Sequence, residues 1–195
     1  MERIWLKNYP PGVPHDIDPD QYSSLTDLLE TAFRRHGNGP FSVCMDRWMS
    51  YKALDELSRA LGAWLQDKGL PPGSRVAIML PNLPQFAVTM AAVLRAGYTC
   101  VNVNPLYTAR ELEHQLKDSG AKAIVIIENF AATLEKCIAQ TPVQHVVLAS
   151  MGDRLGWLKG NLVNYVVRNV KKMVPAYSLP NAVRFHDAVA KGTRG

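Results

Sequence analysis

Apolar and polar positions along the chain follow two periods. Apolar residues three and four positions apart predict helices, and short continuous apolar runs predict strands. The first part of the chain predicts a helix over residues 24–36, a hairpin over 41–49 that turns at Asp46–Arg47, and a helix over 50–69. Residues 1–22 show no period and are rich in Pro and Asp, which predicts an extended N-terminal arm.

From residue 75 onward the pattern becomes regular, because apolar runs alternate with amphipathic stretches. The predicted strands are Arg75–Leu80, Thr99–Val103, Ala123–Ile127 and His145–Ala149, and helices are predicted over 84–96, 108–119 and 131–140. Thr108 and Glu111 have the spacing of a capping box. Strands that alternate with helices imply right-handed crossovers, and strands that are apolar on both faces need cover on both sides. We therefore predict an α/β domain over residues 23–150, with an open, mostly parallel sheet and helices on both faces.

The last part of the sequence carries the positive charge. The chain has a net charge of +5, and residues 154–186 contribute +6 without a single Asp or Glu, which leaves −1 for the remainder. Apolar residues recur there at helical spacing: Leu155, Leu158, Leu162, Val166, Val170 and Met173. Residues 151–195 are therefore predicted to form a basic amphipathic helical segment and the end of the same domain.

The sequence contains no recognisable phosphate loop or metal cluster. A dinucleotide site needs glycines directly after a strand, because the backbone must approach the pyrophosphate. Two predicted strands are instead followed by Pro81–Pro84 and Asn104–Tyr107, and proline removes backbone donors. Glu111, His114 and Asp118 share a helical face that we interpret as solvated surface rather than a metal site. Three cysteines without a CxxC motif indicate reduced thiols in a cytoplasmic protein.

Three segments of the chain resemble the adenylate-forming acyl-CoA synthetases. They are Leu70–Phe86 (LPPGSRVAIMLPNLPQF), Ala92–Glu113 (AVLRAGYTCVNVNPLYTARELE) and His114–Val125 (HQLKDSGAKAIV). The form NVNPLYTARELEHQLKDSGAKAIV is most similar to the bacterial long-chain fatty acid–CoA ligases, and the stretch HVVLASMGDRLG resembles the same group. Because several segments match in order over nearly the whole chain, the resemblance implies the first subdomain of the large N-terminal domain of these enzymes.

The resemblance implies a two-step reaction in the full-length enzyme. A fatty acid carboxylate attacks ATP, with Mg²⁺, to give an acyl-adenylate and pyrophosphate, and the thiol of coenzyme A then displaces AMP. In this family the phosphate loop, the catalytic Lys and the ribose-binding carboxylate lie further along than the end of this sequence. We therefore expect an inactive N-terminal fragment with no catalytic, cofactor-binding or metal-binding residue, which alone binds neither ATP, coenzyme A nor Mg²⁺. The alternative is a stand-alone, non-catalytic binding or interaction domain of the same fold.

Four residues are candidates to border the substrate path of the full-length enzyme. In open α/β sheets, ligands bind beyond the carboxyl ends of the strands. Asn82 follows one predicted strand, and Asn104, Pro105 and Tyr107 follow the next. The competing interpretation is that the prolines only make tight turns that set the register of the strands.

The basic segment is a candidate for contact with an anionic membrane surface. An apolar helix face combined with lysines and a Trp is typical of helices that lie on such a surface. The candidate contact residues are Arg154, Trp157, Lys159, Arg168, Lys171 and Lys172. Packing against the remainder of the enzyme and a subunit contact in a homodimer stay open as alternatives. No nucleic acid partner is expected, because the apolar spacing exceeds what phosphate contacts need. No stretch reaches the roughly 18 apolar residues that span a bilayer, so we expect a cytoplasmic protein, peripheral on the inner face of the membrane.

Overall fold

The computed structural model describes residues 2–193 of the protein. Seven α-helices lie in this range: α1 Leu25–His36, α2 Tyr51–Gln66, α3 Pro84–Arg95, α4 Ala109–Ser119, α5 Ala131–Glu135, α6 Trp157–Tyr165 and α7 Phe185–Gly192. A π-helical turn over Val166–Val170 directly continues α6. The strands are β1 Pro40–Cys44, β2 Arg47–Ser50, β3 Arg75–Met79, β4 Thr99–Asn102, β5 Ala123–Ile127, β6 His145–Ala149 and β7 Val183–Arg184.

Five parallel strands form the central sheet in the order β4-β3-β5-β6-β7. Strand β3 lies between β4 and β5, so that Ile78 is opposite Asn102 on one side and Val125 on the other. Strands β1 and β2 form a separate antiparallel hairpin. Its turn is formed by Met45 and Asp46 with φ values of 47° and 60°, the left-handed conformation that a two-residue hairpin turn requires.

Helices cover both faces of the sheet. On one face, α2, α3 and α7 pack around a core that includes Leu61, Val88 and Phe185. On the other face, α4 and α5 pack through Leu112 and Leu134. Strand β5 is buried at every position, as expected for a parallel strand covered on both sides.

Side-chain caps fix where several helices begin. Ser24 accepts a hydrogen bond from the backbone N–H of Asp27 at 3.1 Å at the start of α1. Thr108 and Glu111 form the predicted capping box at the start of α4, which satisfies backbone donors that the helix leaves free. Gly120 ends α4 in the left-handed conformation, with φ of 65°.

The structure confirms the predicted fold class, and several elements differ from the prediction. The hairpin turns at Met45–Asp46 rather than at Asp46–Arg47, and the arm predicted as extended contains a short 3-10 helix, Ile4–Asn8. The helix predicted over 131–140 ends at Glu135, because the chain turns there to bury Cys137. Strand β7 was not predicted, since two residues are too short to give an apolar run, yet it pairs Val183 with Val147. Met1 of the predicted arm and residues 194–195 of the predicted basic segment lie outside the described residues.

Candidate functional site

The carboxyl ends of the parallel strands meet at one edge of the sheet. Strand β3 leads into α3 on one face, whereas β4 and β5 lead into α4 and α5 on the other. A second change of face lies between β6 and β7. The connection after β6 packs on the second face through Tyr177 and Leu179, whereas β7 leads into α7 on the first face. A crevice opens at the edge of the sheet where the connections of two neighbouring strands leave to opposite faces. Ligands of open α/β sheets bind in such crevices. These two positions are the candidate site.

Asn82 lies at the first position, directly after β3. It is exposed and lines a cavity of about 230 Å³ together with Val43 of the hairpin and Phe86 of α3. The structure therefore places Asn82 between the hairpin and the sheet edge. Its predicted role beside the substrate path stays a prediction.

The turn after β4 is held by its own side chain. Asn104 accepts a hydrogen bond from the backbone N–H of Leu106 at 3.0 Å through Oδ1, and its carbonyl oxygen accepts from the N–H of Tyr107 at 3.1 Å. Pro105 is half-buried within this turn. Tyr107 lines a groove along α4 beside His114. In the described chain, Asn82 and Tyr107 thus line different cavities rather than one common path.

The turns after β3 and β4 leave few backbone donors for a phosphate. The N–H of Leu83 donates to the Pro81 carbonyl at 2.7 Å, and Pro84 occupies the first turn of α3 without an N–H. Residues 2–193 contain no group of three His, Cys, Asp or Glu side chains that could hold a metal ion. The carboxylate of Glu111 serves the helix cap, accepting from the Thr108 N–H at 2.8 Å. These residues do not fit a Mg²⁺–nucleotide site.

Glu128 is the centre of a charged cluster near the second position. It directly follows β5, and its side chain is 1% exposed. Arg168 donates from Nε to Oε1 at 3.0 Å and from Nη2 to Oε2 at 2.8 Å. Arg184 donates from Nη1 to Oε2 at 2.9 Å. A carboxylate this deeply buried is tolerated because two guanidinium groups compensate its charge.

The cluster borders an open cleft of about 460 Å³ at the ends of β6 and β7. Ser150 directly follows β6. It accepts a hydrogen bond from Arg168 Nη2 at 2.9 Å through Oγ and one from Gln85 Nε2 at 2.9 Å through its carbonyl oxygen. Burial would lower the pKa of Arg184, but the hydrogen bond to Glu128 and the neighbouring Tyr177 raise it above its usual value. Both arginines are thus occupied by protein groups, and the cluster braces the strand ends.

Sequence reasoning missed Glu128. Its partners Arg168 and Arg184 lie 40 and 56 positions away in the sequence, so no local pattern connects them. One local signal was available, because Glu128 directly follows a strand that is apolar throughout. A carboxylate at such a position is expected to be buried, and a buried carboxylate needs a positively charged partner.

Two of the six predicted membrane-contact residues bind other groups of the protein, and a third is partly buried. Arg168 binds Glu128. Lys159 donates to the Met45 carbonyl and lies 3.9 Å from Asp46 Oδ2. Arg154 is only partly exposed and lines a cavity behind the hairpin. Residues 154–186 contain no Asp or Glu, and the carboxylates beside Arg168 and Lys159 come from distant parts of the sequence.

The other three predicted residues, Trp157, Lys171 and Lys172, are exposed. They belong to what we call the α6 surface, formed by these two lysines and the exposed apolar residues Trp157, Leu158, Leu162, Tyr165, Val170 and Met173. The opposite side of α6 packs inward through Gly160, and Asn164 Oδ1 accepts from the Gly152 N–H at 2.8 Å. The small and polar side of α6 therefore faces the protein, and the apolar side faces outward. None of the helices within residues 2–193 has both the length and the apolar character needed to cross a membrane.

The fold is that of an open, parallel α/β domain with helices on both faces. The sequence profile described as AMP-binding enzyme matches residues 29–183. The chain belongs to this family.

The most informative relatives are bacterial enzymes. The Long-chain-fatty-acid–CoA ligase of Yersinia pestis is 53% identical over 195 residues, which is 100% of this chain and 35% of that protein. The protein of the same name from Escherichia coli O157:H7 is 52% identical over the same coverage. The one from Bacillus subtilis is 32% identical over 83% of this chain and 29% of that protein. The chain thus spans about a third of the length of the curated relatives that it matches.

Solved structures share the fold. An anthranilate CoA ligase in complex with anthranoyl-AMP matches 87% of this chain and 28% of its own with a TM-score of 0.68 and 16% identity. A long-chain-fatty-acid-CoA ligase from Archaeoglobus fulgidus matches 94% of this chain and 32% of its own with a TM-score of 0.66 and 21% identity. At sequence identities of 16% and 21%, the similarity to these structures shows a shared fold.

Proposed function

We propose that this chain forms the N-terminal part of a long-chain fatty acid–CoA ligase. The observation that carries the proposal is the 53% identity to the Yersinia pestis ligase across all 195 residues. In the full-length enzyme, a fatty acid carboxylate attacks ATP to give an acyl-adenylate and pyrophosphate. Coenzyme A then displaces AMP to form the thioester, and Mg²⁺ accompanies the nucleotide.

This chain contributes to the enzyme by holding the ends of the parallel strands in place. The sheet presents its strand ends, and the Glu128 cluster fixes the segments that follow β5, β6 and β7. The turns after β3 and β4 use their few backbone donors internally. We therefore assign no step of the reaction to a residue of this chain, and we expect the isolated chain to be inactive.

A chimera tests this proposal. In the chimera, this chain replaces the 195 residues that it matches in the Yersinia pestis ligase. We expect formation of oleoyl-CoA from oleate, ATP and coenzyme A within about tenfold of the unaltered ligase, since a loss of about 1.4 kcal/mol in transition-state stabilisation corresponds to that factor. The unaltered ligase is the control. A folded chimera that activates no long-chain fatty acid contradicts the proposal.

We propose further that the α6 surface lies against an anionic membrane. Its apolar side chains point away from the protein, and Lys171 and Lys172 lie at its end in a stretch without Asp or Glu. Charge complementarity therefore favours an anionic lipid surface over a second protein surface of mixed charge. A fatty acid substrate would then reach the enzyme directly from the membrane.

Co-sedimentation with phosphatidylcholine vesicles, with and without phosphatidylglycerol, tests membrane contact. We expect binding to rise with the anionic lipid, and the double change Lys171→Glu and Lys172→Glu to weaken it by about tenfold or more, because each basic residue contributes about 1 kcal/mol. The matched control is Arg34→Glu with Arg35→Glu, an exposed basic pair at the end of α1. Equal binding by both variants contradicts membrane contact. Dimers in solution that Trp157→Ser abolishes would assign the surface to a second copy instead.

A further inference from the structure

A separate cavity of about 490 Å³ lies between the β1–β2 hairpin and the loop after β6. Arg47 lines it from β2, and Arg154 lines it from the loop. Ser50 and Pro84 line it from the N-terminal ends of α2 and α3. The proposed ligase reaction assigns no role to this cavity.

The guanidinium group of Arg154 is held in an unfavourable environment. Its Nε is buried and has no hydrogen-bond partner among residues 2–193. Burial is the main cause that lowers the pKa of Arg154; the charge of Asp153 raises it, and that of Arg47 lowers it further. A buried donor without a partner destabilises the protein, because it has lost its hydrogen bonds to water. An anion between the two arginines would relieve their mutual repulsion.

One carboxylate, that of Asp153, lines the cavity beside the two arginines. It compensates one positive charge at most, and its Oδ2 also accepts a hydrogen bond from the Ser150 N–H at 2.7 Å. One positive charge of the arginine pair therefore has no carboxylate partner in the cavity lining. The N-terminal ends of α2 and α3 add positive potential through their helix dipoles. The cavity as a whole is electropositive.

We propose that Arg47 and Arg154 form a binding site for a phosphate group. The planar guanidinium group donates parallel hydrogen bonds that match phosphate oxygens. Trp48 also lines the cavity and is 65% exposed, and Trp157 of the adjoining α6 surface is 83% exposed. The phosphate can therefore belong to a soluble ester or to the headgroup of an anionic lipid, whose apolar part would contact the indole rings.

This site goes beyond the ligase reaction and uses none of the lysines of the α6 surface. Binding of a phosphate group at the arginine pair and membrane binding through Lys171 and Lys172 can therefore fail independently. Changing Lys171 and Lys172 to Gln should leave phosphate binding intact, whereas changes at Arg47 and Arg154 should remove it.

Isothermal titration of the chain with inorganic phosphate and with glycerol 3-phosphate tests the proposal. We expect binding by the unaltered chain, and weakening of about tenfold or more in Arg154→Gln and in Arg47→Gln, because each loses a charge-assisted hydrogen bond. Arg35→Gln, which removes an exposed arginine of α1, is the matched control and should bind normally. Arg47 is exposed on the hairpin, so Arg47→Gln keeps the fold, as circular dichroism can verify.

The two phosphate sources are separated by vesicles of phosphatidylcholine with phosphatidylglycerol. Arg47-dependent binding of glycerol 3-phosphate assigns a soluble ester, and Arg47-dependent binding to the vesicles alone assigns a lipid headgroup. Absence of binding to all three probes, or equal binding by Arg47→Gln and the unaltered chain, overturns the proposal.

Discussion

Arg95 connects three helices through one guanidinium group. Its Nη2 lies 2.7 Å from Glu30 of α1 and 2.7 Å from Asp55 of α2, and its Nη1 donates to Ser58 at 2.7 Å. The Arg95 side chain is 10% exposed and lies over the ring of Phe33 at 5.1 Å. A positive charge removed from water is thus compensated by carboxylates from two different helices.

Replacing Arg95 by Met should lower the free energy of unfolding by about 3 kcal/mol, because two half-buried carboxylates lose their partner. Arg59→Met is the control, since Arg59 binds the same Asp55 but is 69% exposed; it should cost less than about 1 kcal/mol. Urea denaturation followed by circular dichroism measures both values. Equal losses in the two variants contradict the assigned role of Arg95.

The effect of Arg95 should also depend on pH. Burial would raise the pKa of Asp55, but hydrogen bonds from Arg59 and Arg95 outweigh burial and lower it. A lowered folded-state pKa stabilises the protein above the unfolded value of about 3.9, and this contribution is lost as the pH falls through the folded-state pKa. The stability difference between the unaltered chain and Arg95→Met should therefore shrink below about pH 4.

At the scale of elements, α6 is held by close backbone contact rather than by apolar packing. A Cβ atom added at Gly160 would overlap the carbonyl oxygen of Gly152, and one added at Gly152 would overlap Gly160. Asn164 and Arg168 follow at one-turn intervals and bind Gly152 and Glu128. The inward side of α6 thus depends on a missing side chain and two polar contacts.

Gly160→Ala should displace α6 and destabilise it by about 1–3 kcal/mol, as overpacking does in protein cores. Hydrogen exchange should become faster over residues 157–170 while β5 stays protected. Asn161→Ala changes a neighbouring exposed position of the same helix and should not speed exchange. Unchanged exchange in Gly160→Ala would show that α6 does not rest on the glycine contact.

The sequence predicted elements best where apolar residues decide the packing. Strands β3 to β6 were found for this reason, whereas the cap at Thr108 was found from the spacing of Thr108 and Glu111. The spacing of Leu158 and Leu162 indicates a helix, but it does not reveal that Gly160 makes the contact and that the leucines face outward. Arg154 was identified from its charge. The cavity that it lines could not be predicted from the sequence, because its walls come from the hairpin and from the loop after β6, which are far apart along the chain.

At the scale of the whole molecule, this chain corresponds to 35% of the length of the Yersinia pestis ligase. The described residues supply a sheet whose strand ends are braced by the Glu128 cluster. The proposed function implies a division of labour, in which this part positions the strand ends and the remainder of the ligase activates the carboxylate.

Exchange of pyrophosphate into ATP, in the presence of oleate and Mg²⁺, tests this division most directly. It is measured side by side for the isolated 195-residue chain and for the Yersinia pestis chimera. We predict exchange by the chimera and none above background by the isolated chain. Oleate-dependent exchange by the isolated chain, or its absence in a folded chimera, would contradict the division.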